Sequence, residues 1–179
     1  MPDKIFCSWG VSLCVLSLAC DCNRVEPDAT DADNIWHAAA LGDLKAVTRL
    51  LDEGVAVNAK DSLSGDTPLH AAAAWDEPLV TKLLIDRGAD VNATVASGRT
   101  PLYVSAGSGS IRVAELLIGN GAKVDVLAEH RMTPLHRAAA KGNLKFVSLL
   151  IKNGANIRAA DEYGNTALHY AAEGGHSAL

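Results

Sequence analysis

A quartet of residues returns along this chain at a constant interval, and that interval limits the fold more than any other feature. It reads Thr67-Pro68-Leu69-His70, Thr100-Pro101-Leu102-Tyr103, Thr133-Pro134-Leu135-His136 and Thr166-Ala167-Leu168-His169, a step of 33 residues each time. A fixed period of this size marks a solenoid, in which no unit buries its own apolar face and each relies on its neighbour. Apolar residues make up 49% of the chain, yet only 4% is aromatic. The core is therefore expected to be thin and regular, built from Ala, Leu, Val and Ile.

Each unit follows one internal order. In the second, Thr67-Pro68-Leu69-His70 opens a short helix, where Pro is tolerated because a first-turn N–H has no helical partner. Ala72 and Ala73 follow, small enough to let neighbouring helices approach closely. A turn comes at Asp76. A second helix runs through Val80, Leu84 and Ile85 at helical spacing, and Gly88 ends it in a left-handed cap. Asp90-Val91-Asn92-Ala93 then leads into a loop that returns to Thr100, with Gly98 at its turn. The stopping glycines recur as Gly54, Gly88, Gly121 and Gly154. The paired apolar residues recur as Leu50-Leu51, Leu84-Ile85, Leu117-Ile118 and Leu150-Ile151. Turn glycines precede the quartets at Gly65, Gly98 and Gly164. Arg131 replaces the glycine in the fourth unit, at a cost if its φ is positive.

Period and quartet together resemble the ankyrin-repeat family. The resemblance spans residues 34–179 as four full units and part of a fifth. It implies an all-α fold, a right-handed solenoid of helix pairs joined by β-hairpin-like loops. The first unit reads as an amino-terminal cap, with Asn34-Ile35-Trp36-His37 in place of the quartet. The step from it to the second unit is 34, the extra residue falling in the loop Lys60-Asp61-Ser62-Leu63-Ser64. The last unit stops at Gly174-Gly175-His176-Ser177-Ala178-Leu179, where its second helix is due, which leaves Leu168 and Ala172 poorly covered. Three readings stay open: the natural chain continues, the end frays, or a partner covers it.

Six histidines raise the question of a metal. His70, His136 and His169 hold one equivalent position, and the resemblance makes them structural, bonded to the quartet threonine and nearby backbone. Ligands one repeat apart stand about 10 Å from one another in such a stack, too far to share an ion at Zn–N distances near 2 Å. His37, His130 and His176 have no partner at ligand spacing. The run Gly107-Ser108-Gly109-Ser110 follows no strand and lacks the Lys and Thr of a phosphate loop, so it reads as a turn. No Ser or Cys nucleophile has a base in a recognisable pattern. No metal, no cofactor and no catalysis are expected.

The resemblance instead implies protein–protein recognition by a single, monomeric chain. In the family, two positions after the alanine pair face a concave groove, here Ala74-Trp75, Gly107-Ser108, Ala140-Lys141 and Glu173-Gly174. Loop tips vary as well. The residues expected to contact a partner are Trp75, Arg99, His130, Met132, Lys141 and Tyr163, since aromatic residues and Arg are enriched among binding hot spots. Packing of Trp75 over the next unit is the alternative. The net charge of −5 is taken as an acidic body, which argues against a nucleic-acid partner.

All four cysteines lie in the first 22 residues: Cys7, Cys14, Cys20 and Cys22. Residues 5–19, IFCSWGVSLCVLSLA, carry no charge and follow Lys4. The run is too short to span a bilayer and has the size of a signal-peptide core. Ser17 and Ala19 place small residues at the third and first positions before Cys20. Cysteine at that point resembles the bacterial lipoprotein signal, although Ser17 and Leu18 depart from its preferred Leu and small residue. Residues 1–19 are read as a signal peptide and residues 20–33 as a disordered acidic tether. Lipidation at Cys20, plain secretion and an uncleaved anchor all stay open. The picture is an exported, periplasmic adaptor or inhibitor, membrane-bound only through a lipid. Two competing readings are an enzyme accessory or stress-protection factor acting through a bound metal or small molecule, and a cytosolic or host-directed effector.

Overall fold

The computed structural model describes residues 34–177. Among them every regular element is helical. In chain order these are α1 (Ile35–Ala40), α2 (Leu44–Asp52), α3 (Pro68–Ala74), α4 (Pro78–Asp86), α5 (Pro101–Ser108), α6 (Ile111–Gly119), α7 (Pro134–Ala140), α8 (Leu144–Lys152) and α9 (Ala167–Glu173), with a short 3-10 turn at Glu129–Arg131. The expected all-α class of stacked helix pairs holds. The leader, the tether and Cys20 lie outside the described residues.

The quartets set the helix starts as their chemistry dictates. Pro68, Pro101 and Pro134 each stand first in their helix, behind an extended threonine. Thr100 and Thr133 accept a backbone N–H three residues on, a capping pattern that satisfies a donor with no helical partner. Second helices are capped differently: Asp43 accepts from the N–H groups of Lys45 and Ala46, and Asn143 from that of Phe146.

Helices α1, α3, α5, α7 and α9 stack on one another, and α2, α4, α6 and α8 form a second row. Approach is closer in the first row than in the second. Alanines account for the difference: Ala38, Ala39, Ala72, Ala73, Ala106, Ala138 and Ala139 are all buried between first helices. A stack tighter along one row curves toward it, so the first helices line the concave side. Leu69, Leu84, Leu102, Leu117 and Leu150 are fully buried in one continuous core.

The returning loops are hairpin-like without becoming strands. Each closes on a backbone hydrogen bond: Asp61 N–H to Asp66 C=O at 2.8 Å, Val95 to Arg99 at 3.2 Å, Ala128 to Met132 at 2.8 Å and Asp161 to Asn165 at 2.9 Å. The first spans one residue more than the others, which is where the 34-residue step is taken up. Arg131 has a φ of 59°, preceded by His130 at 54°, so the expected left-handed conformation is present without glycine. Asp76 also adopts a positive φ (57°), where the other units place Gly42, Gly109, Gly142 and Gly175.

The far end of the stack is open. Leu168 is 67% exposed, while its counterparts Leu69, Leu102 and Leu135 are at most 2% exposed. Ala172 is exposed too. Beside them lies an apolar recess of about 280 Å³ lined by Leu135, Ala139, Val147, Ile151, Ile157 and Leu168.

One core position breaks the pattern. Thr81 on α4 is fully buried, and its hydroxyl has no hydrogen-bond partner among the described residues. One repeat away, Val47 and Ala114 occupy the same place and are also fully buried. An orphaned buried hydroxyl costs stability, while an apolar group of the same shape does not. Thr81→Val is therefore expected to raise the free energy of unfolding by about 1 kcal/mol in a urea titration; a loss of stability would show that the hydroxyl is satisfied.

Candidate concave recognition surface

The concave face depends on bridges between successive units. His70 Nδ1 accepts the Thr67 N–H at 3.2 Å and lies 2.9 Å from Thr67 Oγ1. With Nδ1 accepting, the ring proton sits on Nε2, which donates to the Arg99 carbonyl at 3.1 Å in the next unit. His136 repeats the arrangement with Thr133 and the Asn165 carbonyl. His169 holds Thr166 in the same way, and among the described residues its Nε2 has no carbonyl partner.

The first unit solves the same problem with another side chain. Trp36 Nε1 donates to the Asp66 carbonyl at 2.7 Å and lies 3.2 Å from that of Ala59. Asp66 is the counterpart of Arg99, so Trp36, and not His37, holds the histidine position. The cap is registered one residue earlier than Asn34-Ile35-Trp36-His37 suggests.

The third unit departs from both. Tyr103 is buried and sends its hydroxyl toward Met132 Sδ at 4.0 Å, a weak contact. No carbonyl bridge forms there among the described residues. Over the Tyr103 ring lies the Arg137 guanidinium, 5.9 Å from the centroid. Arg137 also crosses Gly107 so closely that a Cβ there would come within 2.8 Å of its Nε.

The six expected contact residues separate into groups. His130 and Tyr163 come together at neighbouring loop tips, ring centroids 6.0 Å apart, with Glu162 hydrogen-bonded to His130 Nδ1. Both are exposed. Arg99 and Met132, both half-buried, stand at successive loop tips: Met132 Sδ faces the Tyr103 hydroxyl, and Arg99 Nε donates to Ser97 Oγ at 2.9 Å. Trp75 caps α3 and Lys141 caps α7, two units apart. Trp75 is 48% exposed and its indole N–H has no hydrogen-bond partner among the described residues.

The Tyr163 tip is held from beneath by Asp161, which is 5% exposed. Asp161 accepts from the N–H groups of Tyr163 and Asn165 and from the Tyr170 hydroxyl at 2.7 Å. Burial acts to raise its carboxyl, but these hydrogen bonds outweigh it and hold the pKa at about 2. Burial and then Asp161 push Tyr170 up to about 12.

Arg137 and Tyr103 were not among the expected residues. Arg137 directly follows the quartet histidine, a place occupied elsewhere by Ala71, Val104 and Tyr170. Its variability was the available signal. Charge was also misplaced by treating −5 as a property of the fold. Residues 34–177 hold 15 acidic and 14 basic side chains, while residues 21–33 hold five acidic residues and one Arg.

A family profile described as ankyrin repeats (3 copies) matches residues 35–128 and 115–179. The chain belongs to the ankyrin-repeat family. Ankyrin repeats are generic protein–protein interaction modules and typically have no enzymatic activity. No curated protein matches the chain. Among the described residues of this ankyrin-repeat protein, no three His, Cys, Asp or Glu side chains are grouped to hold a metal. No described helix is long and apolar enough to cross a membrane.

The bridge tautomer makes the ankyrin stack sensitive to acid. Burial lowers the His70 pKa below its ordinary value of 6.5, although the Arg99 carbonyl acts in the opposite sense. The unfolded chain then takes up this proton first as pH falls. Stability is full above pH 6.5, declines as pH drops from there toward the folded-state pKa, and levels off below it. Urea midpoints measured from pH 8 to 5 are expected to fall in that window, with a smaller slope for His70→Ala. An identical slope in the variant would remove His70 from the effect.

Proposed function

We propose that this ankyrin-repeat protein is an exported recognition module that grips a protein partner on its concave face as an adaptor or inhibitor. The observation that carries the reading is Trp75: a large aromatic, half exposed, at the end of a first helix whose other large side chains are buried. Arg99, His130, Met132 and Tyr163 extend the surface along the loop tips, and Lys141 extends it at the end of α7, two units on. A stack of packed helices and bridged loops is already ordered before binding, which limits the entropy lost on association. Export rests on the uncharged run 5–19 and the small residues before Cys20. The acidic segment that follows would act as the tether.

Two measurements test the parts separately. Affinity capture with the full chain, compared with Trp75→Ala, is expected to show a partner whose retention falls about tenfold or more, as for an aromatic hot spot. Equal retention of every captured protein would mean that the face is wrong. Mass spectrometry of chain recovered from cells is expected to show an amino terminus at Cys20 carrying acyl chains. Recovery of unprocessed Met1 would end the export reading and leave the recognition surface standing.

A further inference from the structure

The groove of the third and fourth units carries a chemical preference. Arg137 lies over Tyr103 and close against Gly107, and as a residue it stays exposed. Arg99 stands at the tip of the loop that leads into the tyrosine's helix, with its Nε donating to Ser97 Oγ. Burial pushes the Tyr103 hydroxyl up, and Arg137 and then Arg99 pull it back, so both cations act on one hydroxyl. Lys141 follows Arg137 by four residues, on the same face of α7. Among the described residues, none of these three side chains is in an ion pair. The ion pairs found there join Arg49 with Glu53, Lys82 with Asp86, Arg87 with Asp52, and His130 with Glu162. Glu129 is the one acidic side chain acting on Tyr103, so the local balance is positive in a fold that is nearly neutral.

Resting on the concave-face reading above, we infer that this groove binds an acidic peptide segment of the partner, with Arg99 and Arg137 holding a carboxylate beside Tyr103. A guanidinium offers paired N–H donors whose geometry matches a carboxylate, and stacking on an aromatic ring orients them in advance. A bridge that was complete, as at His70, would commit the central side chain to backbone; Tyr103 has only the Met132 thioether. Discrete carboxylates suit the site better than a continuous phosphate backbone. Asp66, Glu129 and Glu162 interrupt the row of loop tips, and strand tracking needs an unbroken cationic stripe.

The test pans a random-sequence peptide library on phage against the full chain. Selected peptides are expected to be enriched in Asp and Glu over the starting library. When synthesised, they should bind the Arg99→Ala/Arg137→Ala double variant about tenfold or more weakly. They should bind Arg112→Ala/Lys145→Ala, which removes exposed cations from α6 and α8, as tightly as the parent. Selected peptides without acidic enrichment, no selected peptides, or equal loss in the second-helix variant would each overturn the inference. So would a single-stranded oligonucleotide that binds more tightly than the peptides through the same two arginines. If non-acidic peptides win yet still require Trp75, the acidic preference falls and the concave face stands. If the winners require neither Trp75 nor the arginine pair, both readings fall.

Discussion

Each helical pair leaves an apolar flank that only the next pair can cover. The quartet leucine demonstrates this within one chain. Leu69, Leu102 and Leu135 are buried almost completely, and Leu168, with the same neighbours before it and the same place in its helix, is 67% exposed. The helix α9 forms all the same, because its threonine and histidine cap it locally. Local capping sets where a helix starts. Burial of its leucine comes from the stack. A fully buried leucine is worth about 1.5–3 kcal/mol over an exposed one, so each additional unit stabilises the one before it.

The bridges show what that constraint demands of a side chain. The position needs a flat ring with a donor at its far edge, long enough to reach the next loop. Histidine supplies it at His70 and His136, and the Trp36 indole supplies it in the cap. Tyrosine supplies a donor too, but its longer reach carries the hydroxyl to Met132 Sδ and not to a carbonyl. The stack tolerates this because the leucines and alanines on either side still pack. One unit is thereby released from a purely structural pattern, and the Arg137 guanidinium lies over it.

Helix starts, helix stops and the number of units were legible because each is written in a few adjacent residues: Thr-Pro at the start, Gly at the stop. The positive φ at Arg131 was legible for the same reason, since a glycine was missing from an otherwise regular place. Features that depend on two units were not. Trp36 was hidden because indole and imidazole share only an N–H, a likeness that appears once the Asp66 carbonyl is beside it. Arg137 was hidden because the gap it fills, Gly107, belongs to the preceding repeat. The uneven charge was readable from residue counts, but a whole-chain total concealed it.

These points bear on how such a surface acquires specificity. The frame is made of interchangeable units whose buried residues cannot vary much without opening the stack. Variation is left to the residue after the quartet histidine, the residues that cap the first helices and the loop tips. Those positions are adjacent in space from one unit to the next, so single differences accumulate into a patch. Arg99 and Tyr103 come from the loop tip and first helix of the third unit, and Arg137 comes from the first helix of the fourth. No one repeat contains the site, and any pair of neighbours could build a different one. The recognition proposed for this chain therefore belongs to the junctions, and the same packing that closes the core decides which side chains meet there.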